Sequence, residues 1–202
     1  METIKILFSP KNLLLISLLF LIMGRYVFKK KYLNCFDIVK KHIECFKGLN
    51  NRISKVSIFL YFIIPLLIAL SLAQIRIIDD TVINILTIIV SILTSMFFTL
   101  LTLILDMRKR IRGSKKYNAG DADLSTKILK EVYYSIMFEI LVSVIILLLC
   151  FIELFSKQYS FIDSLLIYYF TFTLLTNLFM ILKRVYKVID KDLEMEEDEA
   201  SE

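Results

Sequence analysis

One carboxylate stands well inside an apolar run, away from its ends. Glu139 lies in the stretch Tyr133–Phe155, roughly two turns from its basic end. Leaving a charge in hydrocarbon there costs on the order of 2.5–3.5 kcal/mol, so the side chain is expected to face other helices or water. Its chemistry is that of an ion or proton site, or of an anchor between subunits. The plainer alternative is an interfacial carboxyl, neutral or paired with a loop Lys or Arg. Ser135, Ser143 and Cys150 share its side of the segment. Asn177, with Thr173 and Thr176, makes a second polar patch, for which interhelical hydrogen bonding is the default.

A longer polar feature runs along Val82–Asp106. From Val82 to Leu105 the chain holds 24 residues without charge, roughly 36 Å of helix. At 100° per residue Asn84, Thr87, Ser91, Ser95, Thr99, Thr102 and Asp106 fall within about 120° of arc. Apart from Thr94, the rest of the circumference is Ile, Leu, Val, Phe and Met. Small hydroxyls permit close approach and hydrogen bonds between helices, so the seam reads as packing or as the lining of a polar path. The segment is therefore expected at the centre of a bundle. Asp79, Asp80, Glu153 and Asp163 gather at one edge, either as hydrated helix ends or as a rim that attracts cations.

Other constellations carry no chemistry. Cys35, His42 and Cys45 fall within about 80° of one helix face, but residues ten apart on a helix are about 15 Å apart. Without a fourth ligand no metal site is assigned. Asp121–Ser125 resembles the opening of a calcium loop but lacks its Gly and final Glu. His42 is the single His and is expected outside the bundle, and no nucleophile elbow, zinc-protease motif, phosphate loop or dinucleotide fingerprint is present. The reading is a protein that is not an enzyme and uses no cofactor.

Hydropathy predicts the elements that position these residues. The 202-residue chain is 57% hydrophobic, with a mean hydropathy of +0.70. Several uncharged runs reach membrane length, so an all-α integral membrane protein is expected. Residues 1–28 hold the 12-residue apolar run Leu13–Gly24, a candidate fifth span. Residues 29–56 form an amphipathic connector, with Phe36, Val39, Ile43 and Phe46 on one face, opposite Asp37, Lys40, Glu44 and Lys47. That apolar face is expected on the membrane surface or on a partner. Residues 57–182 hold four spans as two hairpins: Ser57–Ile75 with Pro65 as a kink site and an Ala69/Ala73 pair, Val82–Leu105, Tyr133–Phe155, and Phe161–Leu182. The basic connection 107–132 separates the hairpins, with Asn118-Ala-Gly as a break and Asp123 or Ser125 as the next cap. The tail 183–202 begins basic and ends acidic, with disorder expected after about Leu193.

Charge orients these pieces. Segments 29–56, 107–132 and the tail hold twenty Lys and Arg; the two opposite turns hold two, Arg76 and Lys157. By the positive-inside rule the three basic segments face the cytoplasm of a bacterial inner membrane, with the C-terminus inside. The run Arg108–Lys116 is explained as such a loop without invoking specific nucleic acid. Two function classes follow. One is a sensor or anchor whose cytosolic surface, made of the amphipathic helix, Arg108, Arg110, Arg112 and the acidic Glu196 and Glu197, binds a soluble protein. The other is a homo-oligomeric pore with the seam and Glu139 toward its lumen.

In span number, size and topology the hairpins around Ser57–Leu105 and Tyr133–Leu182, with their basic connections, resemble the small four-span membrane components of bacterial antiphage systems, such as the membrane subunit of the Kiwa system. The resemblance implies a role in sensing infection at the inner membrane and holding a cytosolic effector. It rests on layout and carries no residue assignment.

Overall fold

The computed structural model describes residues 35–46, 54–113, 119–155 and 159–201. The chain divides into two units, Met1–Asp37 and Ile38–Glu202. The candidate fifth span belongs to the first unit and lies outside the described residues. The second unit is an all-α bundle with four helices long and apolar enough to cross a membrane. A saturated helix is the form in which a chain satisfies its own backbone in hydrocarbon.

A short helix, α1 (Phe36–Glu44), precedes the bundle. The Ser54 N–H donates to the Phe46 carbonyl (3.0 Å), closing the link to the first span. That span, α2 (Lys55–Ile75), is capped by Ser54, whose hydroxyl accepts from the Ser57 N–H. Pro65, expected as a kink site, follows a local change of helix type. It has no N–H, and its ring crowds the carbonyl four residues back. The helix widens ahead of it into a π turn at Phe59–Ile63, where the Ile64 N–H reaches the Phe59 carbonyl. Pro65, Ala69 and Ala73 then present a small-residue stripe, all three buried. Tyr168 packs into the cluster that Ala69 and Ala73 form.

The next helices are α3 (Asp80–Gly113), α4 (Ala119–Glu153) and α5 (Phe161–Ser201). Asp79 caps α3 by accepting from the Val82 N–H (2.9 Å), and the Ile78 N–H donates to Ser164 Oγ (3.0 Å), tying the turn to α5. Extended packing runs α3 on α4, α4 on α5 and α5 on α2. The strongest packing is not within the first hairpin. Helix α2 leans on α5, and α3 packs across the basic connection onto α4.

Two further expectations change. The centre of the bundle is α4, with 44% of its most apolar window buried against 17% in α3. The reason is visible in α3, whose most buried positions, Ile83, Val90, Phe97, Ile104 and Ile111, recur every seven residues, with Met107 beside them. That is one narrow apolar stripe, enough for a single neighbour. The basic connection is also mostly helix: α3 runs through Gly113, and α4 begins at Ala119 rather than at Asp123 or Ser125. The tail is helical too, continuing α5 to Ser201.

The α2–α5 contact depends on residues without bulk at Ala69 and Ala73, 0% and 1% exposed. Ala69→Leu is expected to lower stability in detergent by about 1–3 kcal/mol by overpacking. Leu70→Ala, on the exposed side, should stay within about 0.5 kcal/mol. Thermal unfolding followed by circular dichroism checks both.

Candidate functional site

The bundle has two ends: a hairpin end, where α2 meets α3 and α4 meets α5, and a basic end, where α1 sits. Polar side chains recur along α4 at four-residue intervals from the basic end: Glu131, Ser135, Glu139 and Ser143. Such spacing keeps them in one row. The last three are fully buried, as is Asn177 on α5, and Thr173 is 2% exposed.

Glu139 and Asn177 face each other across the α4–α5 interface, although neither side chain reaches full hydrogen-bonding geometry. Ser143 and Thr173 stand one turn further toward the hairpin end on the two helices, and their hydroxyl oxygens also lack partners among the described residues. Toward the basic end, Arg184 on α5 approaches Glu131 at 3.6 Å and donates to Ser135 Oγ (3.5 Å). Thus the two patches read separately in the sequence, around Glu139 and around Asn177, belong to one buried row. A carboxyl in that setting must be met by a proton, a cation or hydrogen-bond donors, because an unpaired buried charge is costly. The row offers a carboxyl, a carboxamide and two hydroxyls, a set suited to a proton, a small cation or interhelical bonding. Arg184 counted in the sequence only as tail charge. Its signal was its place on the Asn177 face, seven residues on.

Arg184 also donates to the Cys45 carbonyl (3.1 Å), which fixes the end of α1 against the bundle. The Cys45 thiol donates to the Lys41 carbonyl at 3.2 Å, and burial pushes its ionisation up. His42, expected outside the bundle, is fully buried. It stacks on Phe138 with centroids 4.0 Å apart and meets Phe46 edge-on at 5.1 Å. Burial, reinforced by Arg184, lowers its pKa to about 3.

This docking corrects the expected partner face. Phe46 is 5% exposed and in ring contact with Tyr61 and Phe62, and Val39 packs against the main core. Ile43 is half-buried, and Phe36 is exposed in the first turn. The apolar face of α1 is largely covered by its own bundle. Of the other face residues, Arg110 is exposed and Arg108 half-buried on α3. Arg112 lies on α3, and Glu196 and Glu197 lie on the helical extension of α5.

The seam turns outward. Asn84, Ser91, Ser95, Thr99, Thr102 and Asp106 are exposed and Thr87 is half-buried. The hydroxyls are met within their own helix: Thr87 donates to the Ile83 carbonyl (2.8 Å), Ser95 to that of Ser91 (3.1 Å), and Thr99 to that of Ser95 (3.2 Å). Such back-bonding lets a helix carry hydroxyls in hydrocarbon. Asp106 approaches Lys109 at 3.8 Å, both exposed.

The acidic edge at the hairpin end is largely engaged. Asp79 pairs with Arg76, and the Val82 N–H, followed by Arg76, holds its carboxyl below the usual range. Asp80 accepts from the Tyr159 hydroxyl, raising that phenol to about 12. Glu153 is 5% exposed. Among the described residues no three His, Cys, Asp or Glu side chains are grouped to hold a metal. No family model, curated protein or solved structure matches the chain.

Two outcomes are expected. Asn177→Leu leaves Glu139 facing an apolar side chain and should cost about 1–3 kcal/mol. The double variant Glu139→Leu with Asn177→Leu should recover most of it, since both polar groups are then gone; a thermal-unfolding double-mutant cycle reads the coupling. For His42 the folded pKa lies below the unfolded value. Docking is therefore fully stable above about pH 6.5 and weakens as pH falls toward 3, by about 1.4 kcal/mol per pH unit. Hydrogen exchange in residues 38–46 should show the docked α1 weakened by about 2 kcal/mol at pH 5 relative to pH 7. His42→Phe should remove that dependence.

Proposed function

We propose that the chain is a non-enzymatic component of the bacterial inner membrane, a sensor or anchor that binds a cytosolic protein. The observation that carries this reading is the unbroken course of α5, from its membrane span into a charged extension that ends at Ser201. From Asp190 to Ser201 the helix holds seven acidic residues and one Lys, over about 18 Å. A stretch with such an excess of acid repels itself, and acids toward a helix C-terminus oppose its dipole. A basic surface on a partner would offset both. The positive-inside balance supports a cytoplasmic position for this extension, with Arg108 and Arg110. The likeness in layout to antiphage membrane components supplies the setting, in which a membrane event is passed to a cytosolic effector.

A second reading, a homo-oligomeric pore-forming or ion-conducting effector, is favoured by the outward seam on α3. Six of its seven residues are exposed, and small hydroxyls allow another helix to approach closely.

One purification separates the two. From mild-detergent membranes the tagged full chain is expected to bring down a soluble protein in stoichiometric amount. Deleting residues 190–202 should release it without changing the thermal stability of the bundle. A homo-oligomer without a companion, dispersed to a single 23.7 kDa chain by Ser95→Leu with Thr99→Leu, would overturn the first reading in favour of the second.

A further inference from the structure

At the basic end a cavity of about 350 Å³ opens between the end of α1, the start of α2 and α5. Its volume is in the range that holds small molecules. One wall is cationic: Lys183, Arg184 and Lys187 all line it. Arg184 is engaged by Glu131 and the Cys45 carbonyl. Lys183 and Lys187 have no carboxylate partner among the described residues. The facing wall is the N-terminus of α2, with the hydroxyls of Ser54, Ser57 and Tyr61. A helix N-terminus adds partial positive charge to that of the side chains. Phe46 and Met180, 5% and 6% exposed, supply an apolar floor.

Depth decides what such a cavity fits. Lys183 directly follows the apolar run that ends at Leu182, so the cations stand where hydrocarbon gives way to headgroups. Phe179 and Leu182 on the same helix are exposed, 72% and 49%, and offer apolar surface beside the opening. Basic clefts between membrane helices at this level are suited to phosphate-bearing headgroups. We propose that the cavity binds the phosphate headgroup of an anionic phospholipid, with Lys183 and Lys187 facing the phosphate and the Ser54 and Ser57 hydroxyls donating to it. The acyl chains then run along Phe179 and Leu182. A bound headgroup bridges α2 and α5 beside the docked end of α1, so lipid content is coupled to the packing of the basic end.

The test uses the full chain, delipidated in a neutral detergent and titrated with short-chain phosphatidylglycerol, short-chain phosphatidylcholine or inorganic phosphate. Binding is followed by native mass spectrometry. Saturable phosphatidylglycerol binding is expected, at least ten-fold weaker in Lys183→Gln with Lys187→Gln and unchanged in Lys109→Gln, on α3. Ser57→Phe keeps every charge but fills the cavity, and should weaken binding as much; each variant is first shown to keep wild-type thermal stability. Retention of binding in Ser57→Phe would overturn the site in favour of diffuse attraction, and equal binding of phosphatidylcholine would overturn it in favour of non-selective apolar association. Inorganic phosphate displacing phosphatidylglycerol at equal concentration would overturn the lipid assignment and leave a site for soluble phosphate.

Discussion

Arg184 is the side chain through which three elements are held to one another. It approaches the Glu131 carboxylate and donates to Ser135 on α4, and it donates to the Cys45 carbonyl at the end of α1. Its side chain is 19% exposed and that of Glu131 32%. The pair is thus shielded enough to gain from Coulomb attraction without the full desolvation cost of a buried charge. A guanidinium serves here because its planar array of donors can meet several acceptors at once. Once Arg184 is fixed, the register of α4 on α5 is fixed, and that register sets Asn177 opposite Glu139. It also places a positive charge beside His42, which adds to burial in keeping the imidazole neutral.

Much of this architecture could be read from the residues. Four spans, their approximate limits, the disturbance at Pro65 and the close approach at Ala69 and Ala73 all follow from length, hydropathy and side-chain volume, and the structure has each of them. What pattern could not supply was which helix meets which. The Val82–Asp106 stretch has a clear polar arc, and a polar arc alone suggests contact with another helix. The opposite, apolar arc, repeating at Ile83, Val90, Phe97, Ile104 and Ile111, is the one buried against α4. In lipid both faces of a helix have an acceptable environment, provided the hydroxyls bond back to their own carbonyls, as Thr87, Ser95 and Thr99 do. Amphipathicity therefore does not fix the inward face of a membrane helix as it does in water. The same ambiguity hid α1. Phe46 and Val39 were evident as an apolar face, but sequence could not tell a membrane surface or a partner from the chain's own bundle.

The two ends of the bundle differ in how their charges are spent. At the hairpin end acids are used locally: Asp79 caps α3 and pairs with Arg76, and Asp80 receives the Tyr159 hydroxyl. These contacts close short turns and leave little charge for anything else. At the basic end helices continue as charged rods, and Lys183 and Lys187 line an open cavity. An end whose charges are consumed in its own turns is suited to holding two helices in register. An end with cations lacking carboxylate partners among the described residues is suited to meeting something outside the chain.

The buried row and the basic end are not independent. Glu139 lies on α4 two turns from Glu131, and Asn177 lies on α5 two turns from Arg184, so the same two helices carry the carboxyl and the ion pair. Arg184 also reaches the end of α1 through the Cys45 carbonyl, and His42 of α1 stacks on Phe138, the residue beside Glu139 in the chain. A ring stacked flat at 4.0 Å ties α1 closely to α4, because close-packed side chains leave few voids between them. Consecutive contacts thus connect a buried carboxyl on α4 with the short helix at the basic end.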